Sequence, residues 1–295
     1  MRLANRIIAR YTKSVFGAEE QITASANHIV FGRRGAGKSS LLLYAPHTRE
    51  QLKRPSVWID MQVYAQRSDT GVIVDLLKEV VLQAKADLTE DASYILQAID
   101  SLKREGEPSA ERIATLLPDV RRLFATFAAQ GMDLTVFLDY FHVVAASLQP
   151  RLLGILYAIS RGNNMFLKLS AIETLTRTWD SEARKGLQIP HDVQEIKLDY
   201  NLTIPEKATE HIESILDAHA LYCGLPSIRM LCTSPDVLSR LVWVGAGVPR
   251  DALNLFAQAK TQSSLGGGKH VSVSSVNIAA SEAVNTKLRD LETDA

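Results

Sequence analysis

One glycine-rich segment restricts the fold more than any other feature of the sequence. It follows an apolar run typical of a buried strand, HIVF (28–31), and precedes a helical pattern, SSLLLYA. The segment matches G-x-x-x-x-G-K-[ST], in which glycines let backbone N–H groups surround phosphate oxygens. The N-terminus of the next helix adds partial positive charge. We expect a nucleotide phosphate site formed by Gly32, Arg33, Arg34, Gly35, Ala36, Gly37, Lys38, Ser39 and Ser40.

Short apolar runs alternate with helical patterns up to about residue 200, which predicts βαβ units and a mainly parallel sheet. The region is therefore expected to be an α/β domain. A long helical stretch at about 71–130 lies between the second and third strands, with a turn at 104–109. The predicted strands are HIVF (28–31), SVWIDM (56–61), LTVFLD (134–139), MFLKLS (165–170) and VQEIKLD (193–199).

The chain is expected to have four parts. A basic leader (1–25) precedes an α/β nucleotide-binding domain (26–204). A helical lid (205–262) follows, beginning at a proline, a residue favoured in the first turn of a helix. Gly/Ser-rich sequence then leads into a C-terminal helix (263–295), which we assign to the lid; the linker at 262–272 is expected to be flexible.

Composition excludes several classes of protein. Hydrophobic residues make up 46% and charged residues 22% of the 295 residues, which argues against a disordered or disulfide-dense chain. The formal net charge is zero, so a uniformly basic nucleic-acid binder is not indicated. Cys223 and Cys232 lack zinc-ligand spacing and are expected to be buried free thiols. No apolar run is long enough to span a membrane, and a cytoplasmic location is expected.

The third predicted strand ends in an acid, Asp139, which is expected to bind Mg²⁺ together with Ser39. Many hydrolysing P-loop proteins carry a second acid at the next position, but here it is Tyr140. A phenol is a poor general base at neutral pH. His142 is an alternative base, and packing or exposure to solvent is the other explanation for it.

Polar residues also follow the fourth strand. Ser170 could position a water molecule or satisfy a loop N–H, and Glu173 could replace the missing acid. Arg177 and Arg184 precede the fifth strand, and either could act in trans as an arginine finger or simply be solvated.

A second signal lies in the helical region. The run Gly247-Val248-Pro249-Arg250 places an arginine in the first turn of a helix that continues as DALNLFAQA. Such an arginine could point to the γ-phosphate and report nucleotide state through lid closure.

In this order along the chain, GRRGAGKS, FLD, a polar strand end and GVPR resemble the AAA+ ATPases, specifically the branch related to origin-recognition initiators and STAND ATPases. The resemblance covers about residues 20–285 and implies ATP and Mg²⁺ as cofactors, held between core and lid. It also implies a sheet of order 5-1-4-3-2. It implies roles for phosphate-binding Lys38, Mg²⁺-binding Ser39, Walker B Asp139, sensor-1 Ser170 and sensor-2 Arg250.

Three functions follow as hypotheses. The first is an ATP-driven switch or ATPase subunit, as a homo-oligomer or with a partner protein, in a DNA transaction or a defence-type signalling complex. The second is a non-hydrolysing nucleotide-binding scaffold, which Tyr140 favours. The third, a small-molecule phosphotransferase, is disfavoured because GVPR and a helical second domain suit lid closure. DNA binding is possible because residues 1–54 carry ten basic and three acidic residues, although too few residues follow the linker for a winged helix.

Overall fold

The computed structural model describes residues 8–14, 17–65, 67, 70–88, 92–104, 106–198 and 205–293. Part of the predicted leader, the end of the predicted fifth strand at Asp199 and the predicted boundary at 204 lie outside the described residues. The chain forms two compact units. One, the helical unit, comprises residues up to 18, residues 33–40 and residues from 198 onward; the other, the sheet unit, comprises residues 19–32 and 41–197.

The sheet unit is built on a five-stranded parallel sheet. Its strands, with two further short ones, are β1 His28–Phe31, β2 Ser56–Asp60, β3 Leu134–Asp139, β4 Met165–Ala171, β5 Trp179–Asp180, β6 Lys185–Gly186 and β7 Gln194–Lys197. The order in the parallel sheet is β2-β3-β4-β1-β7, which is the predicted order 5-1-4-3-2 viewed from the opposite edge. The short strands β5 and β6 form a separate antiparallel pair.

The strand register places polar residues together at the carboxyl edge of the sheet. Asp60 of β2 pairs with Asp139 of β3, and Ser170 of β4 pairs with Val30 of β1. All six residues of β3 are buried, which explains its continuous apolar and β-branched sequence. An acid can end such a strand only at its carboxyl end, where the chain leaves the apolar layer.

Helices connect the strands, and the predicted long helical stretch is divided into three. The predicted turn at 104–109 separates two of them, and Ser109 Oγ caps the second by accepting a hydrogen bond from the N–H of Arg112. The helices up to β7 are α1 Ala18–Thr23, α2 Lys38–Gln51, α3 Thr70–Ala84, α4 Ser93–Arg104, α5 Ala110–Ala129 and α6 Gln149–Ser160.

The core of the sheet unit lies where these helices pack on the strands. Leu76 and Val80 of α3, Phe124 and Phe127 of α5 and Leu153 of α6 each expose at most 1% of their surface. Burial of one such side chain contributes about 1.5–3 kcal/mol. The strand ends that carry polar residues therefore project from a rigid support.

The helical unit contains α7 Pro205–Tyr222, α8 Asp236–Val244, α9 Pro249–Leu265 and α10 Val273–Thr293, with a 3₁₀ turn at Ile228–Leu231. Two of these helices begin at a proline, as the sequence predicts. The four helices share one hydrophobic core, which includes Leu216, Leu241, Ala252, Phe256 and Val276.

The segment predicted as a flexible linker, 262–272, differs from that expectation. Helix α9 extends through its first part, to Leu265. Val271 is fully buried, and its N–H donates to the carbonyl oxygen of Leu231 at 2.6 Å. The carbonyl oxygen of Val271 accepts from the N–H of Thr233. The apolar residue among the polar ones therefore anchors this segment to the core.

Neither cysteine fits the prediction of a fully buried thiol. Cys223 is exposed, and Cys232 is half-buried. Burial is the main cause that raises the pKa of the Cys232 thiol to about 11. Among the described helices, none is both long and apolar enough to cross a bilayer.

Candidate functional site

The glycine-rich segment forms a tight loop between β1 and α2. Gly35 has φ +88° and Gly37 has φ +97°, values that residues with a Cβ adopt at a cost. Helix α2 begins at Lys38, so the last loop residues form its N-terminus. The first turn of α2 contains no acidic residue to offset the partial positive charge of the helix end. A loop of this shape suits the binding of a phosphate group.

Lys38 lies within this loop. Its side-chain amine donates a hydrogen bond to the carbonyl oxygen of Arg33 at 3.0 Å, and the residue is 9% exposed. Ser39 and Ser40 follow it in the first helical turn and are half-buried. The amine and the two hydroxyl groups thus come from the same end of one helix.

The phosphate loop, residues 33–40, also contacts the turn between α8 and α9 within the helical unit. Arg33 Nη2 donates to the carbonyl oxygen of Ala246 at 3.0 Å. The N–H of Arg250 donates to the carbonyl oxygen of Gly35 at 3.3 Å. A Cβ on Gly35 would lie 2.8 Å from Cβ of Arg250, too close for any residue but glycine. The structure thus brings the predicted sensor-2 arginine to the phosphate loop.

In the sheet unit, Asp139 and Ser170 meet at the ends of neighbouring strands. The hydroxyl of Ser170 donates to Asp139 Oδ1, and both residues are buried. The N–H of Tyr140 donates to the same Oδ1 and to Ser170 Oγ, each at 3.0 Å. These bonds orient the carboxylate of the predicted Walker B residue.

Tyr140 has a left-handed backbone, with φ +59° and ψ +35°. This conformation costs a non-glycine residue about 1–2 kcal/mol, and the hydrogen bonds made by its N–H offset that cost. Its ring lies 6.1 Å from the ring of His142, centroid to centroid. The position expected to hold a second acid therefore carries a half-exposed phenol in a strained turn.

Glu173, Arg177 and Arg184, which were considered as alternatives, all lie at the surface. Glu173 pairs with Lys197 at 3.2 Å, and Arg177 pairs with Asp180 at 3.2 Å. Arg184 is exposed, with φ +50°, in the turn between β5 and β6.

The buried amide of Gln149 holds the segment after β4. Its Nε2 donates to the carbonyl oxygens of Val144 and Leu175, and its Oε1 accepts from the N–H of Arg177 at 2.6 Å. The segments that follow β3 and β4 are therefore joined. A polar residue at the start of an amphipathic helix gave no signal of this role.

A buried cluster of ionisable groups in the sheet unit was also missed. Lys168 Nζ donates to the carbonyl oxygen of Ala24 at 2.6 Å and lies 2.8 Å from His28 Nδ1. Burial is the main cause that lowers the pKa of Lys168 to about 7 and of His28 to about 4. Asp133 and Arg49 form a 3.0 Å ion pair nearby in the same unit. The lysine within the otherwise apolar run MFLKLS was the available signal.

The structure therefore forms two groups from the predicted site residues, each within one unit. The phosphate loop, Lys38 and Arg250 form the first, and Asp139 with Ser170 forms the second. Among the described residues, no cluster of three or more His, Cys, Asp or Glu side chains could hold a metal ion.

Comparison with solved structures finds likeness to origin-recognition proteins. The structure of Drosophila ORC bound to DNA matches with 14% identity and a TM-score of 0.54, covering 90% of this chain and 58% of that chain. Cdc6p from Pyrobaculum aerophilum matches with 14% identity and a TM-score of 0.50, covering 85% and 60%. This chain therefore spans about three fifths of the length of each. No family model and no curated protein matches the sequence.

ORC and Cdc6 are AAA+ P-loop ATPases, so the predicted resemblance to AAA+ initiators is confirmed at the level of the fold. The parallel sheet order and the C-terminal helical domain are those of this fold. At 14% identity, the likeness concerns the fold alone.

Proposed function

We propose that this chain binds ATP and acts as an AAA+-type conformational switch or ATPase subunit in a larger complex. The observation that carries the proposal is the phosphate loop, with Gly35 and Gly37 in left-handed conformations and Lys38 at the start of α2. The AAA+ fold makes this loop the expected nucleotide site.

The residues of the loop fit a polyphosphate. A Cβ on Gly37 would meet no atom within 4 Å, so φ +97° rather than crowding explains its glycine. That conformation turns successive N–H groups toward one side, as anion-binding loops require. Lys38 would hold phosphate oxygens, for which it must give up the carbonyl oxygen of Arg33.

Ser39 offers a hydroxyl and Asp139 offers a carboxylate, and each is an oxygen ligand of the kind that Mg²⁺ prefers. When bound, Mg²⁺ would neutralise charge on the phosphate oxygens. The chain's own contribution is to orient Asp139, through the N–H of Tyr140 and the hydroxyl of Ser170.

A non-hydrolysing scaffold is the second candidate function, and Tyr140 supports it. A phenol is a poor general base at neutral pH. Turnover by this chain would need another base. An arginine supplied in trans would stabilise charge in the transition state, and Arg177 and Arg184 are candidates for that role. Both are on the exposed segment before β7.

Two observations suggest the kind of complex in which such a switch acts: the fold, and the positive charge of residues 1–54. Most AAA+ proteins work as oligomers, so a homo-oligomer or a partner protein is the expected assembly. Drosophila ORC was solved bound to DNA. For this chain, the ten basic residues within 1–54 motivate a test of DNA binding at several salt concentrations.

Equilibrium binding of a fluorescent ATP analogue and steady-state ATP turnover test the proposal. We expect wild type to bind the analogue and Lys38→Ala to lose binding at least roughly tenfold, because a charged contact to phosphate contributes about 1.5–3 kcal/mol. Unchanged binding by Lys38→Ala would refute the phosphate site.

Turnover separates the two candidate functions. Hydrolysis by wild type that disappears in Lys38→Ala supports the ATPase. No hydrolysis by wild type, with turnover gained in Tyr140→Glu, supports the scaffold derived from a lost catalytic acid.

A further inference from the structure

Arg33, the second residue of the phosphate-loop motif, makes an unusual long-range contact. Its guanidinium donates to the carbonyl oxygen of Ala246, 213 residues away in the sequence. Helix α8 ends at Val244, and Ala246 (φ +50°) and Gly247 (φ +70°) form the turn that leads to α9. The N–H groups of Ala246 and Gly247 bond to carbonyl oxygens of the last turn of α8, and the carbonyl oxygen of Ala246 itself lies outside the helix. A guanidinium is a suitable donor for this carbonyl oxygen.

A second hydrogen bond joins the phosphate loop to the residues that follow this turn. The N–H of Arg250, in the first turn of α9, donates to the carbonyl oxygen of Gly35. The absence of a side chain on Gly35 lets the loop approach Cβ of Arg250 and Cγ1 of Val248. The phosphate loop thus satisfies one acceptor in the turn after α8 and one donor at the start of α9.

These two hydrogen bonds fix the position of the backbone of Arg250, from which its side chain extends. The backbone N–H and Cβ of Arg250 lie against Gly35, and the bond from Arg33 to Ala246 holds the turn four residues earlier. A long side chain anchored at its base samples fewer positions, so less entropy is lost when its guanidinium meets a ligand.

We propose that Arg33 is a positioning residue that places Arg250 against the phosphate loop, so that binding of the third phosphate of ATP depends on the bond from Arg33 to Ala246. This inference rests on the proposed function. The guanidinium of Arg33 acts through the turn and not by contact with nucleotide, whereas the backbone of Arg33 stays part of the phosphate loop and is unaltered in Arg33→Ala. Its loss therefore weakens discrimination between ATP and ADP while the phosphate loop itself remains intact.

The test measures the dissociation constants of mant-ATP and mant-ADP in the presence of Mg²⁺ for the full chain. We expect Arg33→Ala to weaken mant-ATP binding by roughly 3- to 10-fold, because an exposed hydrogen bond from a charged donor contributes about 0.5–1.5 kcal/mol. Binding of mant-ADP should change by less than about twofold. Arg33→Lys, which retains a charged donor, should recover part of the loss.

Arg240→Ala is the matched control. Arg240 lies on α8 and donates from Nε to Asn277 Oδ1 at 2.6 Å, so its loss removes a comparable bond within the helical unit without touching the loop. We expect Arg240→Ala to bind both analogues as wild type does. Arg250→Ala should lower the affinity for mant-ATP. Adding Arg33→Ala to that variant should cause no further loss, because Arg33 acts through Arg250.

Each outcome decides the proposal. Additive losses in the double variant, an equal loss of mant-ADP affinity in Arg33→Ala, or equal behaviour of Arg33→Ala and Arg240→Ala would overturn the role of Arg33. If Lys38→Ala abolishes binding while one of these results is found, only the positioning role fails. If Lys38→Ala binds both analogues as wild type does, the proposed function itself fails.

Discussion

The hydroxyl of Ser170 donates a hydrogen bond to the carboxylate of Asp139, although 31 residues separate them in the sequence. The contact exists because β3 and β4 are parallel neighbours whose carboxyl ends coincide. The N–H of Tyr140 joins both side chains. An acid and a hydroxyl group are thus held together at the carboxyl ends of two neighbouring strands.

Removal of the Ser170 hydroxyl should destabilise the protein and disturb the acid. Ser170→Ala takes away the donor to Asp139 and an acceptor for the N–H of Tyr140 in a buried place, so we expect a loss of about 1–3 kcal/mol in the free energy of unfolding. Urea denaturation measures it. Ser101→Ala, which removes an exposed bond to the carbonyl oxygen of Gln97, should change stability by less than about 0.5 kcal/mol. Equal losses of stability in Ser170→Ala and Ser101→Ala would show that the buried bond of Ser170 contributes no more than an exposed one.

A side chain at Gly35 should cost more stability than one at Gly267, which has a similar backbone conformation but open space around it. Gly35→Ala combines φ +88° with a Cβ 2.8 Å from that of Arg250. Gly267→Ala has φ +77° and no atom within 4 Å, so it isolates the backbone cost of about 1–2 kcal/mol. We expect Gly35→Ala to lose more stability in thermal unfolding and to weaken mant-ATP binding, which Gly267→Ala should leave unchanged. Equal losses of stability would mean that the close approach of Arg250 relaxes at no cost.

Acidification should destabilise the sheet unit through His28. Its pKa is about 4 in the folded protein, against 6.5 for an ordinary histidine, because burial and the adjacent Lys168 disfavour its charged form. Between pH 6.5 and about 4 the unfolded chain binds a proton that the folded chain does not, so stability falls as pH falls. The full effect is at most about 3 kcal/mol and is complete below the folded pKa.

The free energy of unfolding, measured by urea denaturation from pH 4 to 7, tests this prediction. His28→Asn removes the titration and leaves a polar side chain beside Lys168, so its stability should vary less with pH in this range. His191→Asn, at an exposed position, should retain the wild-type dependence. A wild-type slope in His28→Asn would assign the pH effect to other groups.

Local patterns predicted the elements that matter for the site. The strands HIVF and LTVFLD have the predicted bounds, and prolines begin α7 and α9 as expected. These features depend on residues within a few positions of each other, because side-chain size, turn preference and helix termination act locally. The sheet order 5-1-4-3-2 is different: it followed only from the resemblance to AAA+ ATPases.

Other features had no local signal. The exposed thiol of Cys223 and the anchored Val271 differ from expectation because burial depends on how helices pack, which composition does not specify. The left-handed turn at Tyr140 is another case, since a tyrosine is not a residue that predicts positive φ.

The amino-acid sequence by itself determined the phosphate loop, the strands that alternate with helices and the acid at the end of β3. Only the tertiary structure decided which partners these residues meet. The bond from Arg33 to Ala246 spans 213 residues, and the approach of Lys168 to His28 spans 140. Such contacts depend on strand register and helix packing across the whole chain, because no local pattern of residues encodes a distance between segments so far apart.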